Sequence, residues 1–495
     1  MTNRYRSDIR ESDITALADR VSRDTYQKYL RRIRLQKVRA FQDREVSFDF
    51  PVTAIVGPNG AGKTTILGAA GLIYKKVPPR RFFAKSGKYD ASMQDWRIEY
   101  DVTDRSLQRS STQRTASFRK AKWNRDSLDR DVVIFGVTRT VPASERKELV
   151  KALGSKFTAA HEEELSGAVA SAAEWVLGKA MTGFSRLSVD NAGKVTLLSA
   201  STPGGNYSEF HFGAGEASII KMIAGIEAAS DHSLILIEEI ENGLHPVATR
   251  RMVEYLLDAA KRKSAQVIFT THSNEALDPL PDRAIWATYA GEVLQGRLDV
   301  RALRTMTGQV DAALAVYVED SFAEKMVATA FRAQGIRLDG IQIHAMGGEG
   351  NARAVNKQRN LDPASTFPSI CVLDGDQAHH RSDDDAIYIL PGSGAPDSYV
   401  FDWIHQNLNS NAARLTAALG VPLARQAEVV DTLNRRKNTN QDRHIIFAQI
   451  GEDLGMLPEE YVKQAFLNEW ANTDPAAVQF IDDLRPVLTR TELAE

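Results

Sequence analysis

The sequence predicts an α/β protein carrying two parallel sheets in tandem, and three observations predict it. The apolar run VTAIV at 52–56 feeds a glycine-rich loop, GPNGAGKTT, at 57–65, and the helical stretch TTILGAAGLIY continues it. Two further apolar runs in the same half, LILI at 234–237 and VIFTT at 267–271, stop at acids and at a histidine. From about residue 307 the pattern restarts as strand, helix, strand, helix, strand. Such alternation implies parallel strands with right-handed crossovers, which align their C-terminal ends along one edge.

Length and composition bound the rest. A chain of 495 residues suggests two or three domains, here 1–305 and 306–495. Hydrophobic content of 43% and charged content of 25% are ordinary for a soluble globular protein. No apolar run is long enough to span a bilayer, and the polar start MTNRYRSDIRESD has no signal-peptide core. The single cysteine, Cys371, excludes a disulfide framework and a Cys-based zinc site, so a cytoplasmic location is expected. A net charge of −2 does not announce a nucleic-acid binder, though local basic clusters occur in YLRRIRLQKVRAF at 29–41 and RRK at 435–437. Each cluster reads as a solvated strand face or helix end, or as a local phosphate contact.

The N-terminal half is taken in order. Residues 30–57 alternate and then turn fully apolar, which predicts two or three strands leading into the glycine loop. Gly57, Gly62, Lys63 and Thr64 fit the G-x4-G-K-[ST] spacing. Backbone N–H groups of such a loop cradle phosphates at a helix N-terminus. Asn59, Gly60, Gly62, Lys63, Thr64 and Thr65 are the expected nucleotide contacts, with Thr64 also on Mg2+. The basic stretch at 105–126 predicts a surface hairpin or arm, and VVIFGV at 132–137 a buried strand. Residues 144–181 predict helices in a short insertion at about 144–184, with no sustained heptads.

In SLILIEEIENGLHP the strand ends at Glu238 and Glu239, placed for the Mg2+ shell and for polarising an attacking water. VIFTTHS ends at His272, whose neutral imidazole can contact a γ-phosphate. FGAGE at 212–216 offers a glycine-rich helix start with Gly213 and Gly215. Taken singly, the two acids could be a solvated strand end and His272 a structural histidine.

GPNGAGKTT, FGAGE, LILIEEIENGLHP and TTHS stand in the order of the ABC-type ATPases, and the chain resembles the branch that holds the RecF and SMC proteins. That resemblance implies ATP as cofactor, FGAGE as a signature loop acting on the opposite protomer, ENGLHP as the D-loop and His272 as the switch histidine. Two ATP molecules would be sandwiched in a head-to-tail homodimer or higher homo-oligomer. The chain departs from the pattern at Gly213, where Ser is usual, at Ile240, where Pro is common, and at Glu238, which replaces Asp. Gln94 is a candidate Q-loop residue or an ordinary surface glutamine.

In the C-terminal half, LAVYVED at 314–320 predicts a strand ending at Glu319, and SICVLDGD at 369–376 a strand ending at Asp374 and Asp376. Between them lie an amphipathic helix, the strand IQIHAM and a loop with a helix. Three carboxylates meeting at one edge repel one another unless a cation lies between them, and Mg2+ or Mn2+ suits an all-oxygen set. Asp-Gly-Asp can also be a plain turn, and Glu319 a solvated strand end.

This half resembles the Toprim fold through Glu319 and the Asp-x-Asp pair. Asp320 stands where a Gly is usual, and Glu324 matches a further acid of nuclease-type Toprim domains. Asp397 and His444 are either a loop acid and a helix-start histidine or further functional groups. An ABC-type ATPase followed by a Toprim domain resembles the OLD (overcoming lysogenization defect) nucleases, which include the Gabija nuclease subunit and retron-associated effectors.

The resemblance implies an ATP-regulated, divalent-metal-dependent nuclease in anti-phage defence. Glu239 and His272 would serve ATP turnover. Glu319, Asp374 and Asp376 would be catalytic metal ligands, with Glu324 in support. DNA is the expected substrate ahead of RNA. A reverse transcriptase with its non-coding RNA, or a helicase, would be the neighbouring partner, and no membrane is involved. Two alternatives stay open: an ATP-driven sensor or scaffold with an inactive Toprim module, and a Toprim ribonuclease acting on tRNA.

Overall fold

The computed structural model describes residues 9–492 except 109, 155–156, 194, 203–204, 290, 297–311, 362–364 and 366. The chain divides into two compact units, Met1–Val300 and Arg301–Glu495. The boundary expected at 305/306 lies outside the described residues. Among the described residues no helix is long and apolar enough to cross a membrane.

The first unit is organised by a six-stranded sheet. Its order is Glu292–Gln295, Ile285–Tyr289, Val52–Val56, Gln266–Thr271, Leu234–Ile237, Val132–Phe135. All pairings are parallel except that of the Glu292–Gln295 edge. Val52–Val56, Leu234–Ile237 and Gln266–Thr271 are buried along their whole length, which is why they read as continuous apolar runs. Val132–Phe135, expected to be buried, is half-buried instead. It is an outermost strand and, among the described residues, has a neighbour on one side only.

A second, antiparallel sheet runs Phe41–Ser47, Lys28–Val38, Arg97–Asp104, Thr112–Arg119, Lys122–Arg125. The basic run at 29–41 supplies its strand Lys28–Val38, burying Leu30, Ile33, Leu35 and Val38. Arg31, Arg32 and Arg34 are taken up by Asp24, Glu45 and Asp43. In the second unit Arg435 and Arg436 pair with Asp453 and Lys437 with Asp402. Arg39 of the first cluster instead donates to Thr65 Oγ1 and Phe82 O.

The insertion expected to be helical is mixed. Among the described residues of this stretch only Gly167–Leu177 is an α-helix, started by Ser166, whose hydroxyl accepts from Val169 N. Lys147–Ala152 forms a 3-10 helix that places Leu149 and Ala152, one 3-10 turn apart, in a small core with Ala143 and Leu197. His161–Glu164 is a strand, pairing with Phe184–Ser188 and setting Glu163 against Arg186. Cross-strand partners distant in sequence overrode the helix-forming composition.

The second unit holds a wholly parallel sheet in the order Ile341–Ala345, Leu314–Val318, Ser369–Leu373, Ile387–Ile389. Leu314–Val318 and Ser369–Leu373 are central, adjacent and fully buried. The C-terminal helices pack into the same core through Phe401, Phe447, Phe466 and Trp470, with the Phe447 ring stacked on Phe322 of helix Ser321–Ala333. Cys371, inside strand Ser369–Leu373, is fully buried, and burial pushes its thiol far above the usual range.

Candidate functional site

The first unit presents the glycine loop at the C-terminal edge of its central sheet. Val52–Val56 ends at Gly57, where a Cβ would stand 2.4 Å from Thr288 O. Thr288 also donates its hydroxyl to Ala61 O at 2.8 Å, so the neighbouring strand sets the shape of the loop. Gly60 and Gly62 have φ of 80° and 100°, open to glycine without strain. Gly62 starts helix Lys63–Leu72, and a Cβ on it would lie 2.5 Å from the Phe41 ring.

Asn59, Gly60, Gly62, Lys63, Thr64 and Thr65 line one cavity, and Glu239 lines it too. Lys63 is buried and donates to Gly57 O and Pro58 O at 2.8 and 2.9 Å. Burial draws its ammonium down to about 8, against the opposing pull of Glu239 and Glu241. A cradle of N–H groups around a desolvated ammonium suits a polyphosphate, whose charge would restore the ammonium to its usual range. Thr64, expected on Mg2+, lines this cavity, and Glu238, expected with it, does not.

Glu238 and Glu239 follow Leu234–Ile237, as the sequence reading expects. Glu239 has φ of 47°, a strained left-handed conformation for a side-chain-bearing residue, held by Thr270 Oγ1 accepting from its N–H at 2.8 Å. Two residues escaped the sequence reading. Arg139 donates to the carbonyls of Glu238 and Glu239 at 2.6 and 2.5 Å. Glu241 accepts from Thr271 Oγ1 and from His272 N at 2.8 and 2.6 Å, tying the two acid- and histidine-bearing strand ends together.

Gly213 caps helix Ala214–Ala228 and is exposed. Gly215 packs on the turn at Gly243, whose carbonyl oxygen lies 1.9 Å from where a Cβ would be. Gly213 and Gly215 do not line the cavity around Lys63 within this chain. Gln94 is exposed and donates to Asp95.

The second unit brings Glu319, Asp374 and Asp376 together, each offering an oxygen within 4.8 Å of the others. Adjacent parallel strands deliver Glu319 and Asp374. Asp376 is exposed in the 3-10 turn Gly375–His380. That turn seats against the loop at Gly392, whose carbonyl oxygen would be 2.5 Å from a Cβ on Gly375. Asp-Gly-Asp is thus a turn and a carboxylate site at once.

Asp374 N donates to Glu319 Oε1 at 2.8 Å, while Asp374 Oδ1 is buried without a hydrogen-bond partner among the described residues. Burial first, then the charges of Glu319, Asp320, Asp376 and Asp397, push Asp374 up to about 8. Glu319 is raised too, chiefly by burial. An orphaned buried oxygen within an all-carboxylate set is what a hard divalent cation would relieve.

Glu324 is half-buried in the first turn of helix Ser321–Ala333 and outside this trio. Asp320 caps the same helix, accepting from Phe322 N and Ala323 N at 2.9 and 2.8 Å. Asp397 is buried and accepts from His444 Nδ1 at 2.6 Å across 47 residues, leaving the imidazole exposed. A further group has no signal in the sequence: Arg353 Nη1 lies 3.0 Å from His380 Nε2 and pairs with Glu349, whose charge also raises Glu319.

Comparison with known proteins agrees with the first unit. The family model described as "AAA domain, putative AbiEii toxin, Type IV TA system" matches residues 193–278, and a second model described as "AAA domain" matches residues 32–156. The chain therefore carries an AAA-type, P-loop ATPase domain that binds nucleotide, typically with Mg2+. The curated proteins yield no match.

Among solved structures, an SMC head domain from Thermotoga maritima is similar at 13% identity and a TM-score of 0.36, covering 54% of this chain and 99% of that one. An Smc head domain with an extended coiled coil, bound to the C-terminal domain of ScpA derived from Pyrococcus furiosus, is similar at 10% identity and 0.38, covering 57% and 99%. The C-terminal region of the Xanthomonas campestris pv. campestris OLD protein is similar at 15% identity and 0.23, covering 37% and 95%.

Proposed function

We propose that this chain is an ATP-regulated, divalent-metal-dependent nuclease of the OLD type, acting on DNA ahead of RNA in anti-phage defence. The observation that carries the reading is the second unit's trio Glu319, Asp374 and Asp376, together with the orphaned Asp374 Oδ1. These residues would hold Mg2+ or Mn2+, which supplies charge stabilisation to the attacking and leaving oxygens of a phosphodiester. Asp397 fixes the His444 ring by its Nδ1 and leaves the exposed imidazole edge for a substrate oxygen or phosphate. Glu324 sits one helical turn from the trio's strand end and supports it indirectly.

In the first unit Lys63 and the loop bind the phosphates, Thr64 and Glu238 the cation, and Glu239 the attacking water. Gly213 lies exposed at a helix start, and this supports a composite site completed by a second copy of the chain. On this reading residues 1–305 sense and 306–495 cut, in the manner of the Gabija subunit and retron effectors, with a reverse transcriptase or helicase as partner. Asp320, the residue that keeps an inactive docking module in play, serves as a helix cap. Its identity therefore does not speak against catalysis.

The test is nicking of supercoiled plasmid in Mg2+ or Mn2+, with tRNA in parallel. Wild type cuts plasmid and Asp374→Ala with Asp376→Ala does not. Equal cutting by both, or none by either, removes the nuclease assignment, and cutting of tRNA alone favours the ribonuclease.

A further inference from the structure

Strand Val132–Phe135 lies in parallel register beside Leu234–Ile237, and Phe135 O accepts from Glu238 N at 2.8 Å. The next residue, Gly136, therefore stands beside Glu238 at the edge of the nucleotide site. Its missing side chain is put to use. A Cβ there would lie 2.2 Å from Arg81 NH2 and 3.0 Å from Glu238 Oε2. Gly136 has φ of −88° and ψ of 173°, which any residue adopts, so the glycine answers to space rather than to backbone conformation.

Arg81 reaches this space from the 3-10 turn Pro79–Arg81, 157 residues away in sequence. Its guanidinium lies 5.3 Å from the centre of the Phe82 ring and meets Glu238 Oε2 at 3.2 Å. The Glu238 side chain is 13% exposed and that of Arg81 37%, so the carboxylate is largely withdrawn from water and the guanidinium is its charge partner.

Resting on the proposed reading of Glu238 as a cation ligand, we infer that Arg81 is a positioning residue for the nucleotide-bound cation, holding Glu238 until Mg2+ arrives with ATP and then releasing it. Two cations compete for one carboxylate. Arg81 neutralises Glu238 beside Glu239 and Glu241 while the site is empty, and an incoming Mg2+ must both take the carboxylate and tolerate a guanidinium close by. Arg81 thereby sets how much Mg2+ is needed to close the site. It does so without touching the loop that grips the phosphates, where Lys63 and the backbone act.

The test is a titration of the full chain with a fluorescent ATP analogue, mant-ATP, in EDTA and at stepped Mg2+ concentrations. Arg81→Ala should leave the EDTA affinity within about twofold of wild type and lower the half-saturating Mg2+ roughly three- to tenfold, the scale of a partly buried ion pair. Gly136→Ala keeps the charge of Arg81 and crowds its guanidinium, at 2.2 Å, more than Glu238 Oε2, at 3.0 Å, and should shift the Mg2+ dependence in the same direction. Far-UV circular dichroism checks that both variants fold. Weakened mant-ATP binding by Arg81→Ala in EDTA would make Arg81 a phosphate ligand and overturn the inference. A Mg2+ requirement unchanged or raised in either folded variant would overturn it as well.

Discussion

Asp374→Asn removes one charge from a trio of carboxylates whose oxygens lie within 4.8 Å, and it keeps the side chain's size. Burial and its neighbours raise the Asp374 carboxyl from 3.8 to about 8. At about 1.4 kcal/mol per unit, and discounted by about half for solvent at the exposed Asp376 side, ionised Asp374 destabilises the metal-free second unit by roughly 3 kcal/mol. Because the folded-state value lies above the unfolded one, this group's favourable contribution is complete below about pH 4 and is lost as the pH rises through about 8.

In a chelator at pH 8.5, calorimetry should therefore find the second unit of the Asn variant melting higher than wild type, by roughly 6–12 °C for a unit of this size. At pH 5 the gap should shrink to about a third of that, and it should close below about pH 4. Mn2+ at pH 8.5 should raise the wild-type transition and leave the variant's in place. A variant that melts below wild type in chelator at pH 8.5 would refute the reasoning, as would an equal Mn2+ response in both proteins.

Three further outcomes are expected. Lys63→Ala should abolish mant-ATP binding while the Mn2+ response of the second unit persists, and loss of both would mean the units do not act separately. The apparent Mn2+ affinity of the second unit should climb close to tenfold per pH unit from about pH 6 to 8 and level off above, since Asp374 must give up its proton to bind; a flat profile by calorimetric titration would exclude Asp374 as a ligand. Asp320→Ala removes a cap that accepts two backbone N–H groups and should cost about 1–2 kcal/mol in denaturant unfolding, with Mn2+ binding retained.

The residues that could be read from the sequence share a physical character. Gly57 to Thr65, Glu238, Glu239, Glu319 and Asp374 each follow a strand buried along its whole length, so an uninterrupted apolar run announces the position. Val132–Phe135 looked the same but is an edge, because an apolar run does not say how many neighbours a strand has.

The insertion reads as helical because EEEL and KELVKA carry helix-forming side chains, while the strand and core that claim them lie tens of residues away. Arg81 with Glu238, Arg139 with the Glu239 carbonyl and Asp397 with His444 are 157, 100 and 47 residues apart, and no local period links such pairs. The raised carboxyl of Asp374 likewise depends on burial that only the assembled sheet supplies.

Cys371 is the chain's single cysteine, and it lies three residues before Asp374 in a strand with neighbours on both sides. Shut away and held as the thiol, it cannot react with an alkylating reagent while that strand is in place. The protein therefore carries its own stopwatch. Modification by iodoacetamide proceeds only in the moments when the strand bearing Asp374 comes loose, and no second sulfhydryl adds a background. A cation that fastens Asp374 to Glu319 would slow that clock, and the second unit's breathing could be timed in the native chain without any engineered label.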